Sequence, residues 1–300
     1  MKTNKIVYAL GFFDGVHLGH QALLRACREL AAESGCDAGA VTFQQHPQTL
    51  VNGAAPKLIC SFADRDALLR RYGAQEILAL PFDNALRSMP WQDFLDMLVE
   101  SYAAAGFVCG YDFRFGRSGE GNASTLENYC KERNLACRVV PEQTLDGEEV
   151  SSTAIRYALQ QGNFEKACAM LGHGYVLSGE VVRGRQLGST IGIPTANLQL
   201  AEELEQPQTG VYAANAWVNG KMYFAVTNIG SRPTVGGHTV TCESFLCRWQ
   251  GNAYGTTPRV SFYKYLQPVQ KFDSVEQLAA CIENAAAESC RLFDAARCAE

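Results

Sequence analysis

Two domains of different class are predicted: an α/β domain with a parallel sheet over residues 1–172, and a small all-β barrel with a closing helix over 173–300. Three observations predict them. Short, nearly continuous apolar runs alternate with helical periods in the first part of the chain. After about Gly172 strand patterns follow one another almost without interruption. Asn219–Gly220, between two of those patterns, is the strongest short-range hairpin signal. Three hundred residues is also a two-domain length.

In chain order, "KIVYAL" reads as a strand, and Leu23, Ala26 and Leu30 then recur at helical spacing. "AGAVTF" is a second strand, followed by a helix in "SFADRDALLRRYG" with Ser61 as N-cap. "EILALPF" makes a third strand and "MPWQDFLDMLVESYAAAG" a third helix; "FVCGYDF" and "ACRVVPE" complete the series. Strands apolar on both faces belong to a sheet covered on both sides. "SSTAIRYALQQG" and "NFEKACAMLG" then read as two helices, the second capped by Asn163. The strand patterns are "YVLSGEVVRG", "GVYAANAWV", "KMYFAVTNIG", "TVTCESFLCRW" and "PRVSFYKYL", and a last helix runs from about Ser274 to Phe293.

Composition narrows the function classes. The chain is 47% hydrophobic and 19% charged, as globular domains are, with a net charge of −5. That balance gives no footprint for nucleic acid or for an anionic membrane, so phosphate recognition must be local. The opening apolar run is too short for a signal peptide, and no segment approaches a membrane span. Twelve scattered cysteines without a C-x-x-C pair predict buried thiols in a reduced, cytoplasmic protein, without a structural zinc. Nothing in the pattern specifies an oligomeric state.

The first candidate site is "GFFDGVHLGH", Gly11 to His20, where a strand gives way to a helix. In an open parallel sheet, ligands sit beyond the carboxyl ends of the strands, and helix N-termini there favour anions. His17 and His20 fall in that place, with Gly11, Gly15 and Gly19 permitting close backbone approach. A zinc pair is the first alternative, but a third ligand is not near. Histidines that only cap or pack at the helix start are the second.

These residues carry a resemblance. "GFFDGVHLGHQALL" resembles the H-x-G-H signature of nucleotidyltransferases, in the form found in bacterial bifunctional riboflavin kinase/FMN adenylyltransferases. The resemblance continues through "TFQQHPQTLV", "GYDFRFGRSGEG", "VSSTAIRYALQQGNFEKACAMLG", "GRQLGSTIGIPTANL", "GVYAA", "TNIGSRPT", "CESF" and "QKFDS". A lone H-x-G-H is a weak signal; the ordered set is specific. It implies a Rossmann-like nucleotidyltransferase domain followed by a riboflavin kinase-like barrel, with riboflavin, FMN and ATP as substrates and Mg²⁺ as cofactor.

The resemblance implies that His17 and His20 contact the ATP phosphates, with Gly11 and Asp14 in the nucleotide-binding loop. Ser152, Thr153 and Arg156 match a second phosphate-binding motif: two adjacent hydroxyls and an Arg one helical turn on can converge on an anion. Asp112 in "GYDFRFG" is assigned to nucleotide or flavin binding, with Phe113 and Phe115 as core. His46 matches a family position, although Gln45 replaces the acid often found before it. An FMN phosphate is already an ionised nucleophile, so this reaction needs positioning and charge stabilisation rather than a base. Two imidazoles suit it, and one of them can be cationic at neutral pH.

The second half lacks a Walker A loop. In "RGRQLGSTIGIPTANL", Gly184, Gly188 and Gly192 make a pliable loop whose N–H groups can wrap phosphates; a Gly-rich turn before a short strand is the plain alternative. The resemblance assigns Thr195 and Asn197 of the P-T-A-N motif to Mg²⁺, for which neutral oxygens suit an ion already carrying ATP oxygens. A neutral riboflavin hydroxyl needs a proton acceptor. Glu243, in an otherwise almost uncharged strand, matches the family's base. "QLAACIENAAAESC" departs from the family, in which an acid is common at Asn284 or its neighbours, so no flavin contacts are assigned there. The alternatives are a transferase for another phosphorylated acceptor and a flavin-binding protein without catalysis.

Overall fold

The computed structural model describes residues 5–53, 55–182, 195–234, 237–247, 249, 255–270 and 275–297. The chain forms two compact units, one of Met1–Leu58 with Arg65–Ser152 and one of Ile59–Asp64 with Thr153–Glu300.

In the first unit β1 (Ile6–Leu10), β2 (Asp37–Phe43), β3 (Glu76–Leu80), β4 (Ala104–Gly110) and β5 (Ala136–Val140) form a parallel sheet of order β3-β2-β1-β4-β5. Along β1 the side chains alternate between two cores. Val7 and Ala9 pack with Leu23, Cys27 and Leu30 of helix α1 (Leu18–Ser34). Tyr8 and Leu10 pack with Phe94 and Leu98 of another helix, Trp91–Ser101, and with Leu126. With both faces covered, each strand reads as an apolar run, which is the signal the sequence carries. The strand order reverses between β1 and β4, and a crevice beyond their carboxyl ends is the ligand position of such a sheet.

The helices number α2 (Pro47–Asn52), α3 (Phe62–Arg71), α4 (Asn84–Ser88), α5 (Trp91–Ser101) and α6 (Ala123–Arg133) between β2 and β5. Ser61 accepts from the Asp64 N–H at 3.1 Å, as the expected cap of α3. The start of α6, which carries Cys130, is fixed by reciprocal bonds between Asn122 and Thr125. A small hairpin, β6 (Thr144–Leu145) and β7 (Glu148–Glu149), precedes α7 (Ser152–Gln160).

Packing groups Thr153 onward, including α8 (Phe164–Leu171), with the second unit. Asn163 stands at the N-cap of α8 but makes no side-chain capping bond: its ψ of 68° is not the extended backbone of a capping residue. The antiparallel sheet contains β8 (Tyr175–Ser178), β9 (Glu180–Val182), β10 (Thr195–Gln199), β11 (Gly210–Val218), β12 (Lys221–Thr234), β13 (Gly237–Leu246) and β14 (Arg259–Gln267). Its order is β8-β14-β11-β12-β13-β10-β9. The two edge strands are consecutive pieces of one segment, joined at Gly179, so the sheet curls round on itself. A Cβ at Gly179 would lie 2.5 Å from the Gln199 carbonyl oxygen, so only glycine fits this crossing. Asn219 and Gly220 both have positive φ, 50° and 75°, and form the two-residue turn between β11 and β12.

Tyr175, Tyr212, Phe262 and Phe164 of α8 pack together inside the second unit. The last helix, α9, runs Val275–Arg297, and its Ser289 hydroxyl donates to the Ala225 carbonyl at 3.2 Å. Asp64, fully buried, accepts from Arg259 Nε at 3.0 Å, from the Ser178 N–H at 3.2 Å and from the Ser178 and Ser61 hydroxyls. No disulfide joins the described cysteines, and burial pushes Cys27 up to about 11 and Cys242 up to about 12, as inert packing thiols require.

Candidate active sites

The loop after β1 is strained into shape. Phe13 and Val16, both fully buried, have φ of 61° and 43°, and Gly15 between them has 76°. Left-handed backbone at a β-branched residue is costly and persists only where burial enforces it. The turn delivers His17 to the N-cap of α1, where its side chain makes no capping bond. The first-turn N–H groups thus keep their positive end open to an anion. Gln21 Nε2 donates to the Val16 carbonyl at 2.9 Å and closes the turn.

The rings of His17 and His20 stack with centroids 3.7 Å apart, and His20 meets the edge of Phe13 at 5.1 Å. Burial, the neighbouring His17 and the Arg65 cation together hold the His20 imidazole well below its ordinary range. It is neutral at pH 7, so His20 is not the cationic member of the pair that the residues alone allow. Its Nδ1 is buried with no hydrogen-bond partner among the described residues. A buried polar atom left unmatched is what a ligand site shows before its ligand arrives.

A cavity of about 590 Å³ opens here, and it is lined by six expected residues: Gly11, His17, Gly19, His20, Asp112 and Ser152. Ser152 Oγ donates to the Asp14 carbonyl at 3.0 Å, which ties the start of α7 to the loop. Asp14 itself is buried and contributes this backbone oxygen. Thr153 and Arg156 lie on α7 in the second unit, Arg156 one turn after Ser152. His46 caps α2: its Nδ1 accepts from the Gln48 N–H at 3.1 Å, and its ring meets the edge of Phe12 at 4.6 Å. Phe115 is core, whereas Phe113, stacked on it, also lines the cavity.

Sequence reasoning missed Tyr111, Glu142 and Glu149 on the cavity wall. Tyr111 is 48% exposed, and its hydroxyl reaches Glu149 at 3.5 Å. It also missed Arg65, whose signal was present: Arg65, Leu68, Leu69 and Tyr72 follow helical spacing, and the first of these inward positions is an Arg.

In the second unit, Thr195 and Asn197 stand two residues apart on one face of β10. Asn197 lies directly opposite Glu243 of β13, and Glu243 directly opposite Asn228 of β12. Directly opposed residues share a sheet face with Cβ atoms about 5 Å apart. Three oxygen-bearing side chains therefore form a row on the half-buried face, while Ala196, Leu198, Cys242 and Ser244 point into the core. Asn228, a further missed residue, has a buried Oδ1 without a hydrogen-bond partner among the described residues. Gly184 and Gly188, expected around phosphates, lie outside the described residues. Among the described residues no cluster of three His, Cys, Asp or Glu side chains can hold a metal. The oxygens of Thr195 and Asn197 fit an ion that arrives with its own ligands.

Residues 1–154 match the FAD synthetase family and residues 171–293 the riboflavin kinase family. A bifunctional riboflavin kinase/FMN adenylyltransferase of Bacillus subtilis is 34% identical, covering 96% of this chain and 93% of its own length. The protein of that name from Escherichia coli K12 is also 34% identical, covering 92% and 89%. A crystal structure titled as a macrolide-efflux protein from Streptococcus pneumoniae superposes with a TM-score of 0.82 at 30% identity, covering 96% and 95%. No helix among the described residues is long and apolar enough to cross a membrane. With both family domains in the order and at the length of these relatives, the chain belongs to the bifunctional riboflavin kinase/FMN adenylyltransferase family.

Proposed function

We propose that the chain phosphorylates riboflavin with Mg-ATP at the β10–β13 row, and adenylylates the resulting FMN with a second ATP at the β1–α1 cavity. The transferase is assigned to residues 1–172 and the kinase to 173–300. Packing places α7 and α8 with the second unit, but the motif at the start of α7 serves the first reaction. The observation that carries the reading is the contrast in chemistry between the two sites: imidazoles at an uncapped helix start in one, a carboxylate opposed to an amide in the other.

In the kinase reaction the 5′-hydroxyl oxygen of riboflavin bonds to the γ-phosphorus, the bond to the β-phosphate oxygen breaks, and ADP leaves. Glu243 accepts the hydroxyl proton. Thr195 and Asn197 would hold the Mg²⁺ that comes with ATP, which would supply charge neutralisation at the phosphates. In the second reaction an FMN phosphate oxygen bonds to the α-phosphorus of ATP and pyrophosphate leaves. No base is needed. His17 and His20 donate ring N–H bonds to the triphosphate, and the α1 N-terminus, Ser152, Thr153 and Arg156 share the charge. Neutral His20 suits this role, since a neutral imidazole still donates through one nitrogen. Gly11 admits the nucleotide backbone closely, Asp14 and His46 shape the loop around it, and Asp112 contacts the nucleotide or flavin. The setting is cytoplasmic, with small molecules rather than nucleic acid or membrane as partners.

The test is incubation of the protein with riboflavin, ATP and Mg²⁺, followed by chromatographic separation of flavins. FMN should appear first and FAD after it. Absence of both contradicts the reading.

A further inference from the structure

We propose that Arg65 is a positioning residue of the adenylyl-transfer centre: its guanidinium ties the cavity-lining segment after β1 to the end of the neighbouring strand β2, and sets a fixed positive charge beside the histidine pair. The proposal rests on the assignment of that cavity to adenylyl transfer.

Arg65 is 2% exposed, on the face of α3 that carries Leu68 and Leu69 into the core. A buried guanidinium is tolerated only with good acceptors. Here one terminal nitrogen donates to the Phe12 carbonyl at 3.0 Å and the other to the Phe43 carbonyl at 2.7 Å. Phe43 is the last residue of β2 and Phe12 lies two residues beyond β1, so one rigid fork spans two adjacent strand ends. The guanidinium carbon also sits 4.2 Å from the centroid of the Phe12 ring, the ring that lines the cavity and meets His46 at its edge. An uncharged amide could bridge two carbonyls with a smaller desolvation cost. The Arg adds a charge, and that charge is felt at His20, where it joins burial and His17 in favouring the neutral imidazole. A field that disfavours a proton on His20 favours anionic phosphate at the same place.

The charged and titratable groups around His20 are His17, Arg65 and, on the cavity wall, Tyr111, Asp112, Arg114, Glu142 and Glu149. Arg65→Met removes one of these and leaves the others. The variant is assayed for FAD formation from FMN, with riboflavin phosphorylation as the control for the second unit and the dispersed proton NMR signals of the buried first-unit core, Phe13 and Phe107 among them, as the measure of intact folding. His20 is titrated by proton NMR, its resonance assigned by its loss in His20→Gln. We expect kcat for FAD formation to fall about ten- to a hundredfold with riboflavin phosphorylation kept, and the His20 midpoint to move up. Arg65→Lys, which keeps the charge, should hold the His20 midpoint close to wild type and recover part of the rate. Unchanged FAD formation in Arg65→Met, or a loss with the His20 midpoint unmoved, overturns the proposal. Should Arg65→Met lose the dispersed signals of the first-unit core, Arg65→Gln replaces it under the same two criteria. His20→Ala in parallel separates the failures: normal FAD formation there overturns the assignment of the cavity, while loss there beside an unaffected Arg65→Met overturns only the role of Arg65.

Discussion

Asn197 and Glu243 stand directly opposite each other on neighbouring antiparallel strands, although 46 positions separate them in the chain. The side-chain period of two puts both on the half-buried face with Thr195, and a slip of one residue would turn Glu243 into the core. The proton acceptor and the metal-binding amide of the kinase reading are thus set by one register. Removing both should cost less than the sum of the single losses, because they serve one transition state. Riboflavin phosphorylation by Asn197→Ala, Glu243→Gln and the double variant checks this; a coupling of at least about 0.5 kcal/mol is expected.

Neutral His20 gives a pH dependence of stability with a definite sign. In the unfolded chain the imidazole takes up a proton near pH 6.5, as an ordinary histidine does, while the folded protein resists it until well below. Stability should therefore fall as the pH drops below about 6.5, and His20→Gln should lose part of that fall. Urea midpoints at pH 5.5 and 7.5 for both proteins make the comparison.

Asp64 is fully buried and gathers Arg259, Ser61 and both the N–H and hydroxyl of Ser178. Asp64→Ala strands several donors at once. We expect a loss of about 3 kcal/mol, read as a lowered unfolding midpoint. Arg70→Ala, whose partner Asp66 forms an exposed helical pair with it, should change stability by about 0.5 kcal/mol or less.

Gly179→Ala tests how the second sheet closes. The added methyl would meet the Gln199 backbone oxygen at 2.5 Å, so β9 and β10 must part. A destabilisation of about 1–3 kcal/mol is expected, with riboflavin phosphorylation reduced and FAD formation from FMN kept.

Much of this was legible in the sequence because the signals are local. Strands of the first unit announce themselves as apolar runs since both faces are covered, and Asn219–Gly220 announces its hairpin through positive φ. The place of His17 and His20 follows from a strand ending just before a helix begins. What stayed hidden depends on distant pairing. No local pattern says that Asn228 joins Glu243, or that Glu142 and Glu149 reach the wall of the histidine cavity. Asn163 is a capping residue type, but its ψ of 68° is not the extended backbone that capping needs, and residue type alone does not reveal that angle. Arg65 was readable as an odd residue in an apolar stripe, but its partners at Phe12 and Phe43 were not.

Two centres of different chemistry on one chain should complement each other in a mixing assay. His20→Ala and Glu243→Gln are each given riboflavin, ATP and Mg²⁺, alone and together. His20→Ala alone should stop at FMN, and Glu243→Gln alone should leave riboflavin largely unreacted, its rate down about a hundredfold or more, yet convert added FMN to FAD. The mixture should make FAD from riboflavin, as FMN released by one variant is taken up by the other. If either folded variant lost both reactions, or if the mixture made no FAD, the two-centre account would be wrong.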